Sequence, residues 1–281
     1  MFANTGHGAS PAGAAAVAEA AEAGGFDTIW TVEHVVVPSG YESPYPYDPS
    51  GKMAGGAEEF DLPDPLIWLA FAAAHTSTIR LATGILILPQ RNPVVTAKEL
   101  ATLDHLSGGR LSVGVGAGWL AEEFDALGVP FDDRGRRLDE YVAVMRALWS
   151  GGKTSFDGEF FQFRDCISRP RPAQGSIPVI VGGDSAAAAR RAGRLGDGYF
   201  PGGSSIEHIA ERVELAKRTA EEHGRDPASL QLIAGAAAPP GPKLDERIEQ
   251  LAALGVAQTI VPTFRPDELA DIGRQLTTTY V

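Results

Sequence analysis

A histidine behind a short apolar strand, and glycines at the ends of three further strands, are the residues of this chain whose placement can support chemistry. Glu33-His34 directly follows Thr28-Ile29-Trp30-Thr31-Val32. A histidine at a strand end can exchange a proton near neutral pH or hydrogen-bond a bound ring; a loop histidine held by local bonds is the alternative. Glu33 points to the opposite side if the strand geometry continues through it, which places it behind such a site. Thr83-Gly84-Ile85-Leu86 interrupts a strand with a glycine, marking a bulge, a close approach of another body to the backbone, or a packing glycine. Gly114, Gly116 and Gly118 alternate along the next strand and run into Trp119, so one face of the chain is cleared for a flat ring that Trp119 would bound. This is not a dinucleotide fingerprint, because GVGAGW lacks the final glycine and no helix begins at once. Val181-Gly182-Gly183-Asp184-Ser185 ends a strand and opens a helix, and backbone N–H groups freed of side chains there suit a phosphate. An ordinary N-cap at Asp184 or Ser185 is the competing reading.

These residues need a scaffold that aligns strand ends. The stretch LATGILILPQRNPVVTAKELATLDHLSGGRLSVGVGAGW, from Leu81 to Trp119, is a complete strand-helix-strand unit. The same alternation continues along the chain. With Met1 to Thr5 as a first strand, the pattern predicts strands at Phe26 to Val32, Ile79 to Leu88, Leu111 to Gly116, Ile177 to Val181, Gly198 to Phe200, Leu230 to Ala236 and Gln258 to Val261. Helices are expected between them, the last over Pro266 to Thr277. Eight strands and eight main helices without a reversal signal favour a closed (β/α)8 barrel, whose site is built at the carboxyl ends of the strands. Residues 35–63 and 151–177 break the rhythm as long insertions, the second with a hairpin-like TSFDGEFFQF, and loops of that length are expected to form the substrate side of the cleft. Tyr41, Tyr45, Tyr47, Phe60 and Trp68, in or near the first insertion, can wall an apolar pocket or fold on one another.

Composition narrows the function classes. A chain of 281 residues with 44% hydrophobic content suits one barrel domain over residues 1–281. The net charge of −12 carries no footprint for nucleic acid or anionic lipid. The single Cys166 cannot form an internal disulfide, and a cytoplasmic location is expected. Glu19 and Glu22 interrupt the Ala-rich N-terminal run, so it does not read as a secretion signal. No His/Cys/Asp cluster has metal spacing and no G-x-S-x-G elbow is present, so no metal site is expected.

The sequence resembles the luciferase-like monooxygenase superfamily, specifically its branch using the deazaflavin coenzyme F420. The resemblance runs from Asn4 to about Thr263 and is carried by FDTIWTVEH, by TGILILPQRNPVVTAKELATLDHLSGGRLSVGVGAGW, by FDDRGRRLDEYVAVMRALW and by PVIVGG. It implies a (β/α)8 barrel with a bulge or non-prolyl cis peptide near Gly84 to Leu86 behind the deazaflavin ring. Glu33, Thr83, Gly84, Ile85, Gly116, Gly118, Trp119, Val181, Gly182 and Gly183 would then border the ring and its ribityl-phosphate tail, with His34 at its reactive face as the catalytic residue. Two departures disfavour a sugar-phosphate dehydrogenase: Glu33 stands where those enzymes have aspartate, and Trp119 where they have a catalytic glutamate. The expectation is an F420-dependent oxidoreductase moving hydride between C5 of the deazaflavin and a small organic substrate. An FMN-dependent monooxygenase on the same barrel, or a cofactor-free barrel that has lost catalysis, are the alternatives. F420 is favoured over FMN because no Ser/Arg clamp for a terminal flavin phosphate is evident. A small-molecule substrate is the expected partner, with a homodimer left open.

Overall fold

Short polar residues placed before proline start the first three α-helices. Ser10 accepts the Gly13 amide at the head of α1 (Pro11–Ala23), Asp64 takes those of Leu66 and Ile67 in α2 (Pro65–His75), and Asn92 takes those of Val94 and Val95 in α3 (Pro93–Leu106). In each case the proline fixes the first φ and needs no N–H partner, while the cap oxygen satisfies an orphan donor. The computed structural model describes residues 1–280 apart from Ser204, Ala237, Pro239 and Thr263; Thr263, where the resemblance ends, and Val281 thus lie outside the described residues.

Between these helices run parallel strands: β1 (Thr28–Thr31), β2 (Arg80–Thr83), β3 (Leu86–Ile87) and β4 (Leu111–Gly116). A short α4 (Ala121–Ala126), absent from the sequence-based expectation, leads to α5 (Arg134–Trp149). After the hairpin β5 (Thr154–Asp157) and β6 (Gln162–Cys166), the alternation resumes with β7 (Val179–Gly182), α6 (Ala186–Leu195), β8 (Gly198–Phe200), α7 (Ile206–Glu222), β9 (Gln231–Gly235), α8 (Pro242–Ala253), β10 (Gln258–Ile260) and α9 (Pro266–Tyr280). The sheet order is β1-β2-β4-β7-β8-β9-β10, all parallel, with β3 also on β4.

The strands are buried on both faces, as a parallel sheet wrapped by helices requires. Ile29, Leu81, Val113 and Val179 face the helices in the main core, whereas the alternating Trp30, Ala82, Ile180, Ile233 and Ile260 form a second cluster with Phe2 and Phe200 on the concave side. The sheet is therefore curled, but a closed eight-stranded barrel is not what forms. The expected first strand is reduced to one parallel bridge, Phe2 to Trp30, along the free edge of β1. Gln258 Nε2 donates across the seam to Asp27 and to Thr28 Oγ1, yet no backbone ladder joins β10 to this edge among the described residues. The physical reason is local: the chain turns at Gly6, with φ of 54°, into a 3-10 turn over Gly6–Ala9 before a second pair can form.

The insertion at 151–177 also departs from expectation. Its hairpin packs on α5: Phe161 meets Tyr141 edge-on at 5.2 Å, and Glu140 accepts the amides of Phe160 and Phe161 at 2.9 and 2.8 Å. No helix among the described residues is long and apolar enough to cross a membrane.

At the amino ends of the strands, Glu22 of α1 secures the start of β2 by accepting the amides of Ser77, Thr78 and Ile79 and the Thr78 hydroxyl. Partial burial pushes its carboxyl up, but these donors outweigh that and hold it down at about 2. Because folding lowers this pKa, the stabilisation is fully present above the ordinary value near 4.5 and is lost as pH falls through about 2. The lowering alone would correspond to a few kcal/mol; exposure to solvent reduces this to about 1 kcal/mol. Glu22→Gln should accordingly lower the urea midpoint at neutral pH, with the gap to the parent protein closing in acid. A gap that stays constant down the acid limb would show that ionisation of Glu22 contributes nothing.

Candidate active site

The carboxyl ends of β1, β2, β4, β7, β8 and β9 meet at one cavity of about 1410 Å³. Its walls come from the turns after β1, β2, β4, β7, β8 and β9, together with the first insertion and α8. Of the residues singled out from the sequence, Glu33, His34, Gly84, Ile85, Gly116, Gly118, Trp119, Gly182 and Gly183 line it, whereas Thr83 and Val181 do not. Thr83 is fully buried and its hydroxyl donates to the Gly114 carbonyl at 2.7 Å; Val181 is fully buried in the main core. Their side chains alternate away from the cavity, so neither can touch a ligand there.

His34, its side chain 10% exposed, sits between this cavity and a smaller one of about 240 Å³. Its Nδ1 lies 2.9 Å from Oε2 of Glu123, and Trp119 packs edge-on against the ring at 5.7 Å. Glu33, its neighbour, turns its carboxylate away from the cavity: it accepts from the Ile87 amide and from both Nε and Nη2 of Arg91, which also reaches Asp64 at 2.7 Å. Burial pushes the Glu33 carboxyl above its ordinary value, against the pull of Arg91. Glu33 thus borders the cavity while its charge ties β1 to the turn after β3.

The glycines at the strand ends are explained by what a Cβ would strike. At Gly114 it would lie 2.0 Å from the Thr83 carbonyl oxygen, so β2 and β4 could not approach. At Gly116 and Gly182 it would fall 2.7 and 2.3 Å from the side chain of Ile85. The cleared face that the alternating glycines suggest is therefore filled by Ile85, seated in a hollow between the ends of β4 and β7. Gly84, joined to Ile85 by a cis peptide bond, packs over Trp30 and Phe2 of the concave cluster. Gly118 has φ of 85° and would clash with Phe124 and Ile87, so only glycine fits this turn. Ile85, rather than bare backbone, forms the floor of the cavity.

The first insertion supplies the opposite wall. Trp119 meets Tyr45 at 5.1 Å and Tyr41 at 5.6 Å, both edge-on, and Tyr45 meets Tyr47 at 5.4 Å. Tyr47 reaches across to the turn after β8, where a Cβ on Gly202 would sit 2.0 Å from its ring. Burial, with Tyr45 and Asp184 nearby, pushes the Tyr47 phenol up to about 12, so it stays a neutral donor. Trp68 takes no part, as its indole N–H donates to the Gly8 carbonyl in the core. None of residues 151–177 lines the cavity, so the second insertion does not form its substrate side.

Two adjacent carboxylates of α4, which the sequence analysis passed over, hold this insertion. Glu122 accepts the amides of Glu42 and Ser43; the Ser43 hydroxyl and these amides hold its carboxyl down at about 2. Glu123, fully buried, accepts from Val35 and Val36 N–H as well as facing His34. Their only sequence signal is a pair of acids in the first turn of a short helix directly after Trp119-Leu120, where acids are common on dipole grounds alone.

At the head of α6 the amides are arranged differently from the sequence expectation. The Gly183 amide donates to the Phe200 carbonyl at 3.1 Å and is spent. Gly183 is needed for its φ of 130° and because a Cβ would press on Ala188 at 3.1 Å. The amides on offer are those of the first turn beyond it, with Ser185 capping the Ala188 N–H. Arg134 and Arg191 line the same cavity. Burial lowers the pKa of Arg134 against the opposing pull of Asp132, and the neighbouring Arg191 adds a smaller lowering. The sequence analysis did not single out these arginines; Arg134 opens α5 and Arg191 lies mid-way along α6, where it also pairs with Asp139, and only the fold brings the two together.

A profile of the luciferase-like monooxygenases matches residues 1–276. An uncharacterised protein of Mycobacterium tuberculosis is 36% identical over 261 residues, covering 92% of this chain and 88% of its own. The FMNH(2)-dependent dimethylsulfone monooxygenase of Pseudomonas putida is 37% identical over 155 residues, which is 54% of this chain and 42% of that protein. The coenzyme F420 dependent tetrahydromethanopterin reductase of Methanopyrus kandleri shares the fold, with a TM-score of 0.76 at 19% identity over 97% of this chain and 96% of its own. From the strand-end cavity, the seated Ile85 and these matches together, this chain is a member of the luciferase-like monooxygenase family.

Proposed function

We propose that this protein is an oxidoreductase that uses coenzyme F420 to pass hydride to or from a small, largely apolar organic substrate, with His34 exchanging the accompanying proton. One observation carries the reading: a single cavity holds a two-arginine anion corner at the head of α6 and a titratable imidazole under an aromatic wall, with the Ile85 floor between them. That arrangement fits a flat ring with a phosphate-bearing tail. Gly116, Gly118, Trp119, Gly182 and Ile85 would border the ring, and the first turn of α6 with Arg134 and Arg191 would hold the phosphate. When bound, the deazaflavin supplies a hydride carrier at C5. Trp119, Tyr45 and Phe60 exclude water and offer an apolar surface to the substrate. The His34 imidazole takes up or returns a proton as the charge of the reacting groups changes.

The arginine pair removes one reason for preferring F420, since it would also hold a terminal flavin phosphate, and the Pseudomonas putida relative is named for FMNH(2). FMN is thus a second reading. F420 remains the favoured one because Lys243 and Arg247 of α8 line the cavity beyond the α6 corner, where a deazaflavin tail continues into carboxylates and FMN has already ended. Titration of the purified protein with each cofactor is the test. F420 should bind in the micromolar range and FMN more weakly; micromolar FMN binding with no F420 binding would transfer the protein to the flavin monooxygenases.

Arg134→Ala should weaken whichever cofactor binds by about tenfold or more, the scale of a charge-assisted hydrogen bond, while a phosphate-free ring fragment is unaffected. Equal affinity in the variant moves the phosphate elsewhere in the cavity. His34→Ala should lower turnover about 10²-fold or more with cofactor affinity within about tenfold of the parent. Full turnover across about pH 6 to 8 in that variant would reduce His34 to a wall of the pocket.

A further inference from the structure

His34 and Glu123 stand 89 positions apart in sequence, yet their side chains meet at 2.9 Å with Glu123 fully buried. Both oxygens of this carboxylate are committed. Oε2 faces His34 Nδ1, and Oε1 accepts the amides of Val35 at 2.6 Å and Val36 at 3.3 Å. Backbone N–H groups are donors only, so Oε1 must be an acceptor, and the group already serving as an acceptor at one oxygen can take the ring N–H at the other. We propose that Glu123 is the positioning residue of His34: it accepts the Nδ1–H, fixes that tautomer, and leaves Nε2 as the nitrogen that exchanges a proton with a ligand.

The surroundings single out Glu123 for this role. Glu58 borders the smaller cavity beside His34 but is spent on Ser39 Oγ at 2.8 Å and the Gly40 amide at 3.0 Å. Glu33 is spent on Arg91 and Ile87. Trp119 offers His34 the edge of a ring and no acceptor. With one face against Trp119 and Nδ1 held by a buried acceptor, the imidazole cannot turn over without leaving Glu123 without its donor, a cost of about 1–3 kcal/mol or more for a charged group. A tautomer set by the bond at the other ring nitrogen is what a proton-transferring histidine requires.

The proposal rests on the reading of His34 as the proton-transfer group, and one substitution separates the two. In Glu123→Gln the side-chain oxygen must take the Val35 and Val36 amides, since placing the NH₂ there would set donor against donor. The NH₂ then faces His34 and donates to Nδ1, so the ring hydrogen moves to Nε2. Histidine nitrogen NMR at alkaline pH should show His34 protonated at Nδ1 in the parent protein and at Nε2 in the variant. Turnover should fall by about tenfold or more with KM little changed, as for loss of a group that orients a catalytic imidazole. If Glu123 merely anchors 35–36, kcat stays as it was whichever tautomer the variant shows. An Nε2–H tautomer in the parent protein overturns the proposal even if the variant fails to fold, as does a swapped tautomer with undiminished kcat. Full turnover in His34→Ala, by contrast, sinks the proton-transfer role itself while leaving the tautomer measurement to stand or fall alone.

Discussion

The close approach of backbones at the ends of β2, β4 and β7 is the constraint on which the rest of this structure depends. No side chain can stand at Gly114, where the Thr83 carbonyl oxygen would lie 2.0 Å from a Cβ. None can stand at Gly116 or Gly182 without displacing Ile85. These positions let one aliphatic side chain, carried on the turn between β2 and β3, lie flat over the end of the sheet. The cavity floor is consequently made of an apolar residue whose place is fixed from three strands, and the walls above it come from loops and from α5, α6 and α8. Interiors packed this tightly transmit a shift at one strand to its neighbours, so the glycines set the floor's position as much as Ile85 does.

Above that floor the buried charges are arranged in committed groups. Burying a carboxylate costs several kcal/mol unless donors replace its water. Glu33 has Arg91 and the Ile87 amide, and Glu123 has two amides and His34. Arg191 is likewise committed, to Asp139 and the Gly135 carbonyl, and Arg134 donates to the Gly118 and Phe131 carbonyls while burial depresses its pKa. Both line the cavity in a chain whose net charge is −12.

Periodicity and caps made the scaffold legible. Ser10, Asp64 and Asn92, each before a proline, cap the first three α-helices, and the apolar strands fall where their composition places them. What did not follow from the sequence has two causes. One is that local geometry overrides pattern: residues 1–5 look like a strand but make a single bridge, because the turn at Gly6 ends the pairing. The other is that sequence distance hides partners. Arg134 and Arg191 read as helix-surface cations, and Glu122 and Glu123 as first-turn acids, until the fold sets them against the cavity and the first insertion. The glycines show the same limit: their spacing suggests a cleared face, but not that the side chain of Ile85 lies against Gly116 and Gly182.

The two insertions show how unequal lengths of irregular chain acquire unequal roles. Residues 151–177 contain enough phenylalanine to bury a hairpin of their own on α5, and once that surface is satisfied nothing remains to face the cavity. Residues 35–63 bury a smaller cluster, Tyr41 and Met53 against Leu120, and their aromatic residues reach out to Trp119 and, through Tyr47, to Gly202 on the far side of the mouth. The insertion is held at its root by Glu122 and Glu123 and rests at its tip on the turn after β8, so it spans the opening from two anchored ends. Because Glu123 serves both the root of this span and the imbalance of donors at His34, the loop that shapes the substrate wall and the histidine beneath it are set by the same carboxylate. A change in the insertion that pulled Val35 or Val36 away from Glu123 would therefore reach His34 without touching it.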